Sequence, residues 1–227
     1  MRPHHLLLFD IDGTLVRTAG AGRRALNEAF EELHGVADGL SGVRLDGNTD
    51  PKIYEALFRA HLGRTPQEDE ERELRARYLE RLGPAMDACR EGYQVMPGVH
   101  AILERAKALG CGLGLCTGNI EPGARLKLDP AGIEGYFPIG GFGNDHGERW
   151  RLAEFAWRRA ELHFGRRFQR VTLFGDTERD VEAARKVGAE SVGVLAGASD
   201  VNVLEASTPD RLSPRLDDPE LWRWLEL

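Results

Sequence analysis

Apolar positions fall first in one unbroken run and then in two different rhythms. Leu6, Leu7, Leu8 and Phe9 are contiguous and stop at Asp10, the pattern of a strand buried on both faces of a parallel sheet. From about residue 20 the rhythm becomes helical. Ala25, Leu26, Ala29, Phe30 and Leu33 recur at helical spacing over 20–34, and Gly35 supplies a stop. Asp50 and Pro51 suit an N-cap and first turn for a helix carrying Ile53, Leu57, Ala60 and His61 and ending at Gly63. Thr65-Pro66-Gln67-Glu68 reads as a capping box for a third helix, acidic at its start and arginine-rich later. A short fourth helix is expected over 84–90.

After residue 93 strands and helices alternate. Helices are expected over 98–109, 121–131, 149–164, 181–187 and 217–227. Strands are expected over 111–116, 136–140, 171–174 and 191–195. Such alternation predicts an α/β fold with a doubly wound parallel sheet of five or more strands. The helices that interrupt it predict an inserted small α-helical cap domain over 17–92, with 1–16 and 93–227 forming the core domain.

Composition narrows the function more than the fold. The chain has 227 residues, 41% hydrophobic and 30% charged, enough for a core and a solvated surface. A formal net charge of −7 argues against a nucleic acid or an acidic membrane as partner. The N-terminal apolar run is too short for a signal peptide or a membrane span. The 3 cysteines, Cys89, Cys111 and Cys116, lack zinc-like spacing and are expected to be reduced and structural in the cytoplasm.

Chemistry collects at three strand ends. Asp10 and Asp12 follow the first strand, with Gly13 to turn the chain. One can attack an electrophile and the other can exchange a proton with a leaving oxygen; both also suit a plain turn. Thr117, Gly118 and Asn119 end the 111–116 strand, offering a hydroxyl and N–H groups to an anion or simply capping the next helix. Asp176 ends the 171–174 strand and Asp180 lies four residues on, so a hard divalent cation would relieve their repulsion.

The strings FDIDGTL (9–15), LCTGN (115–119) and GDTERD (175–180) resemble, in order, motifs I, II and IV of the haloacid dehalogenase-like (HAD) hydrolases. That resemblance implies a HAD-like Rossmannoid core, Mg²⁺ as cofactor, and a phosphatase acting on a small phosphorylated metabolite. It implies that Asp10 is the nucleophile and Asp12 the acid and base. The metal would be held by Asp10, the main-chain carbonyl of Asp12, Asp176 and Asp180. Thr117, Gly118 and Asn119 would bind phosphoryl oxygens.

The motif III lysine followed by proline is absent. Arg149, opening a helix, and Lys127, after motif II, are the two candidate cations, and they are not equivalent. The insert resembles the C1 cap of the phosphoglycolate phosphatase-like branch, where a cap loop reads like G-x-T-D, as LDGNTD does at 45–50. Arg44 or Arg23 is expected to meet the non-phosphate part of the substrate, and an arginine there suits a small carboxylate. Asp145 and His146 read as loop residues.

The second Asp, Asp12, speaks against an L-2-haloacid dehalogenase. A β-phosphoglucomutase-like phosphomutase shares every motif. A phosphonatase would need a cap lysine, for which only Lys52 is present in the helical block. A non-catalytic HAD-fold binding protein is the alternative outside enzymes. The oligomeric state is not set by any of these features.

Overall fold

The computed structural model describes residues 4–227; residues 1–3 of the expected core segment 1–16 lie outside the described residues. In chain order the elements are β1 (His5–Phe9), β2 (Val16–Arg17), α1 (Ala21–His34), α2 (Asp50–Leu62), α3 (Glu68–Ala88), β3 (Gln94–Val95), α4 (Val99–Ala108), β4 (Gly112–Cys116), α5 (Glu121–Leu128), β5 (Ile139–Gly141), α6 (Arg149–Phe164), β6 (Arg170–Gly175), α7 (Glu178–Val187), β7 (Glu190–Val194), α8 (Val201–Ala206), β8 (Arg211–Ser213) and α9 (Pro219–Leu225).

Six strands form one sheet in the order β5-β4-β1-β6-β7-β8, and every neighbouring pair is parallel. The apolar run of β1 lies at its centre, with Leu8 beside Gly114 on one side and Leu173 on the other. Successive side chains of a strand point to opposite faces, and both faces are covered. Leu7 and Phe9 share a core with Val99 and Ile102 of α4 and Leu221 of α9. Leu6 and Leu8 share another with Leu152 and Ala156 of α6 and Ala183 of α7. Helices on both faces explain why β1 is apolar at every position rather than at alternate ones. The chain runs outward from β1 through β4 to β5, then resumes at β6 on the other side. The C-terminal end of β1 is therefore the topological switch point, where open α/β sheets bind ligands.

The helices between β2 and β3 have a core of their own. Leu26 and Phe30 of α1, Tyr54 and Phe58 of α2, and Leu74 and Leu82 of α3 are buried together. The chain enters and leaves this block through β2 and β3, which pair antiparallel.

Several local expectations are corrected. Most of the stretch expected as a fourth helix over 84–90 belongs to α3, which runs unbroken through Pro84 to Ala88, and Arg90 opens a separate 3-10 turn. Pro84 is exposed while Leu82, Ala85 and Met86 are buried, so water can meet the carbonyl freed by the missing N–H. The capping box of α3 uses Gln67 and Glu70, not Thr65. Asp50 lies inside α2, and Thr49 takes the cap position. The pair β2 and β3, the edge strand β8 and the helix α8 have no counterpart in the sequence pattern, because each is too short to show a period.

Phe9 stacks on Phe174 at 4.4 Å between ring centroids and meets Phe137 edge-on at 6.0 Å. Phe9→Ala is expected to cost about 3–5 kcal/mol, read as a shifted urea midpoint with an unchanged slope.

Candidate active site

Three adjacent strands deliver the motif residues to one edge. Asp10 follows β1, and its N–H donates to the Phe174 carbonyl of β6 at 2.9 Å. Thr117 follows β4 and is buried, its N–H bonded to the Gly141 carbonyl of β5 at 3.0 Å. Asp176 follows β6. Asp180 stands in the first turn of α7, where its Oδ2 accepts from the Thr177 hydroxyl at 2.7 Å and from the Thr177 N–H at 3.2 Å. Two glycines make room for this. A Cβ on Gly13, which has φ +82°, would run into the Asp176 carboxylate, and a Cβ on Gly175 would run into that of Asp180.

Asp10, Asp176 and Asp180 are all buried, and each offers one oxygen within 4.8 Å of the other two. Arg149, at the start of α6, enters the cluster from the side. Its Nη2 lies 2.7 Å from Asp10 Oδ1 and 2.7 Å from Asp180 Oδ1, and its Nε donates to Asp180 Oδ1 at 2.7 Å. One guanidinium against three carboxylates leaves the cluster short of positive charge. Burial lifts the Asp10 carboxyl to about 6, opposed by Arg149 and reinforced by Asp180 and Asp12. Burial, then Asp10 and Asp180, push Asp176 well above the usual carboxylate range. Asp176 Oδ1 is buried without a hydrogen-bond partner. Oxygen donors, surplus negative charge and an orphaned carboxylate oxygen fit a hard divalent cation.

Asp12 is placed differently. Its side chain is 45% exposed, and it faces a cavity rather than the three-carboxylate cluster. Its Oδ2 accepts from Lys127 Nζ at 2.7 Å and from Asn119 Nδ2 at 2.8 Å. Burial raises its carboxyl, but Lys127 and Asn119 outweigh that and hold it below the usual range. Lys127 Nζ also donates to Asn119 Oδ1 at 2.6 Å, and Asn119 Nδ2 donates to Thr117 Oγ1 at 2.9 Å. The two candidate cations thus serve different carboxylates.

The cavity measures about 340 Å³ and is roofed by the helical block. Asp10, Asp12, Thr117, Gly118, Asn119, Lys127, Arg149 and Asp176 reach it from the sheet side. Arg44 does not line it: its guanidinium pairs with Glu178 at 2.6 Å on the surface, which corrects its expected place against the substrate. Arg23 does line it. Lys52 is tied to Glu148 outside this cavity, so it is not placed as a cap lysine over the site. Asp145 pairs with Arg159 and accepts from the Phe142 N–H, as a loop-bracing residue does. The Cys116 thiol is pushed up to about 12 by burial, which leaves it unreactive.

Two lining residues from the helical block do more than their sequence positions show. Asp50 reads in sequence as a cap, yet its Oδ2 accepts from the Ile120 N–H at 2.8 Å across the seam between block and core, and burial lifts its carboxyl to about 6. Tyr78, which no sequence pattern singles out, lines the cavity from α3.

The profile of the haloacid dehalogenase-like hydrolases matches residues 4–188. The chain is 27% identical over 224 residues to a phosphoglycolate phosphatase of Escherichia coli O157:H7, covering 92% of this chain and 88% of that protein. Among solved structures it resembles a hydrolase from Pseudomonas syringae, with TM-score 0.71, 22% identity and 97% coverage of both chains. It also resembles CbbY from Rhodobacter sphaeroides in complex with phosphate, with TM-score 0.70, 22% identity and 95% and 96% of the two chains covered.

Without a metal, the three buried carboxylates should oppose folding. The Asp10 carboxyl rises from 3.8 to about 6 on folding, so the folded state holds its proton more tightly than the unfolded one. That contribution is complete below about pH 4 and is lost as the pH rises through about 6. Asp176→Asn should therefore unfold about 2–4 °C above the parent at pH 7 in chelator, the shift that ~1 kcal/mol gives a chain of this length. The gap should close as the pH falls toward 4, and calorimetry across that range checks it.

Proposed function

The chain belongs to the haloacid dehalogenase-like hydrolases, as a phosphatase of that family; from that premise we propose that it hydrolyses a small phosphomonoester, with Mg²⁺, through an aspartyl-phosphate on Asp10. The observation that supports this most is the division of carboxylates. Asp10 lies within the buried cluster with Asp176 and Asp180, while Asp12 lies outside it, toward the cavity, on Lys127 and Asn119.

In this reading Asp10, Asp176, Asp180 and the main-chain carbonyl of Asp12 hold the metal. When bound, it neutralises carboxylate and phosphoryl charge together. Asp10 Oδ attacks phosphorus, and the bond from phosphorus to the alcohol oxygen breaks. Asp12, having taken up a proton as the dianionic substrate enters beside it, passes that proton to the departing oxygen. Water then attacks the phosphoryl group and gives its proton to Asp12, and Asp10 is released. Arg149 sets its charge beside Asp10, where the phosphoryl oxygens gather negative charge. The Thr117 hydroxyl and the N–H groups of Gly118 and Asn119 receive the remaining oxygens.

We also read residues 17–92 as a cap domain over a core made of 4–16 and 93–227. The separate hydrophobic core of α1–α3 and the two antiparallel strands through which the chain passes support that division. No helix of the described residues is long and apolar enough to cross a membrane. The relatives' name makes 2-phosphoglycolate the first substrate to assay.

Purified protein should release inorganic phosphate from p-nitrophenyl phosphate with Mg²⁺ and lose that activity in chelator. Asp10→Asn should fall below detection, and Asp12→Asn should lose about 10²–10⁴ in kcat. Isomerised sugar phosphate without net phosphate release would favour a phosphomutase, and binding without turnover a non-catalytic protein.

Arg149→Lys should keep the charge but not the two-sided contact to Asp10 and Asp180. A fall in kcat of about tenfold or more, with KM for the same ester moving less, is the expected result of steady-state kinetics.

A further inference from the structure

The cavity has more to recognise than a phosphate. Its three cations differ in what already holds them. Arg149 is paired with Asp10 and Asp180, and Lys127 is paired with Asp12. Arg23, on α1, is the one lining cation among the described residues with no carboxylate partner. Its Nη2 donates to the Leu40 carbonyl at 2.8 Å, which fixes the guanidinium while leaving its other N–H groups to a ligand. The helical block also lines the cavity with Leu26, Leu40 and Ile53, and with Tyr78 from α3. The two block carboxylates do not cancel Arg23. Asp50 is engaged by the Ile120 N–H, and Asp46 is exposed, where solvent and salt screen it.

Size adds a second constraint. A space of about 340 Å³ falls at the lower end of the range for drug-sized ligands. A phosphoryl group with a two-carbon alcohol would leave much of it unfilled. Apolar lining together with an arginine that no carboxylate holds suits an alcohol that carries both a carbon skeleton and an anion.

We propose that Arg23 is the specificity residue of this site, and that the substrate is a phosphomonoester of an alcohol longer than two carbons bearing a terminal carboxylate. This rests on the phosphatase reading above and deepens it.

The test uses the full-length protein with Mg²⁺ and a series of ω-phosphooxy carboxylates of two to six carbons, each beside its neutral amide. The parent should favour acid over amide by tenfold or more in kcat/KM, with the best chain longer than two carbons. Arg23→Ala should lower that acid-to-amide ratio at least tenfold, and Arg23→Lys should restore part of it. Arg23 is exposed, and a melting temperature for each variant separates misfolding from altered preference. An unchanged ratio in Arg23→Ala, or a two-carbon optimum, overturns this inference while leaving the phosphatase reading intact. Absence of turnover with every ester, p-nitrophenyl phosphate included, overturns both.

Discussion

Three carboxylates crowded at one sheet edge are the constraint from which the rest of this protein follows. At separations under 5 Å, two unit charges repel by about 3–4 kcal/mol at the effective dielectric of a protein surface region. Arg149 offsets part of that for Asp10 and Asp180, and Asp176 keeps an unpartnered buried oxygen. The fold accepts this strain because backbone, not side chain, sets the positions. β1 and β6 are neighbours in register, Phe9 beside Phe174, so Asp10 and Asp176, each just past the end of its strand, leave the sheet close together. Gly13 and Gly175 then remove the Cβ atoms that would push the carboxylates apart.

The helical block is joined to that edge by more than its two strands. The Asp50 N–H donates to the Gly118 carbonyl at 2.8 Å and its carboxylate accepts from Ile120. The Thr49 hydroxyl reaches the Gly147 carbonyl at 3.2 Å, and Arg179 reaches Asn48 Oδ1 at 2.6 Å. A Cβ on Gly118 would strike the Asn48 carbonyl. The 45–50 loop is thus also the seam by which the block rests on the turn at Thr117–Asn119 and on α7. Whatever shifts the block shifts the N–H groups around Thr117 with it.

What could be read from the chain alone follows the range of the interaction. The Asp10 strand, the Thr117 turn and the Asp176–Asp180 pair are local patterns within a few residues, and the structure brings all of them to one edge. The partners that decide roles are distant. Lys127 meets Asp12 across 115 residues, Asp50 meets Ile120 across 70, and Arg44 meets Glu178 across 134. No period or motif encodes such pairings, so Arg44 looked free for a substrate and Asp50 looked like a cap. The same holds for α3. Pro84 signals a break locally, but Leu82, Ala85 and Met86 pack on the same hydrophobic core as the residues before them, and that burial keeps the helix whole.

Arg149 and Lys127 differ in shape, and the carboxylates they meet differ accordingly. A guanidinium is planar and can touch two anions at fixed angles; Arg149 spans Asp10 and Asp180, and both are in the buried cluster. An ammonium is a compact point charge with rotatable donors; Lys127 reaches up from α5 to one carboxylate oxygen of Asp12 and to Asn119. Burial pulls the Lys127 ammonium downward, and Asp12, Tyr78 and Asp50 beside it outweigh that and hold it above its ordinary value. Each buried cation is therefore compensated by its own carboxylate. Exchanging their positions would leave Asp180 with one contact fewer and crowd the cavity floor with a rigid fork. The pairing of a forked cation with the cluster and a point charge with the exposed Asp12 keeps the cavity open in front of Asp10.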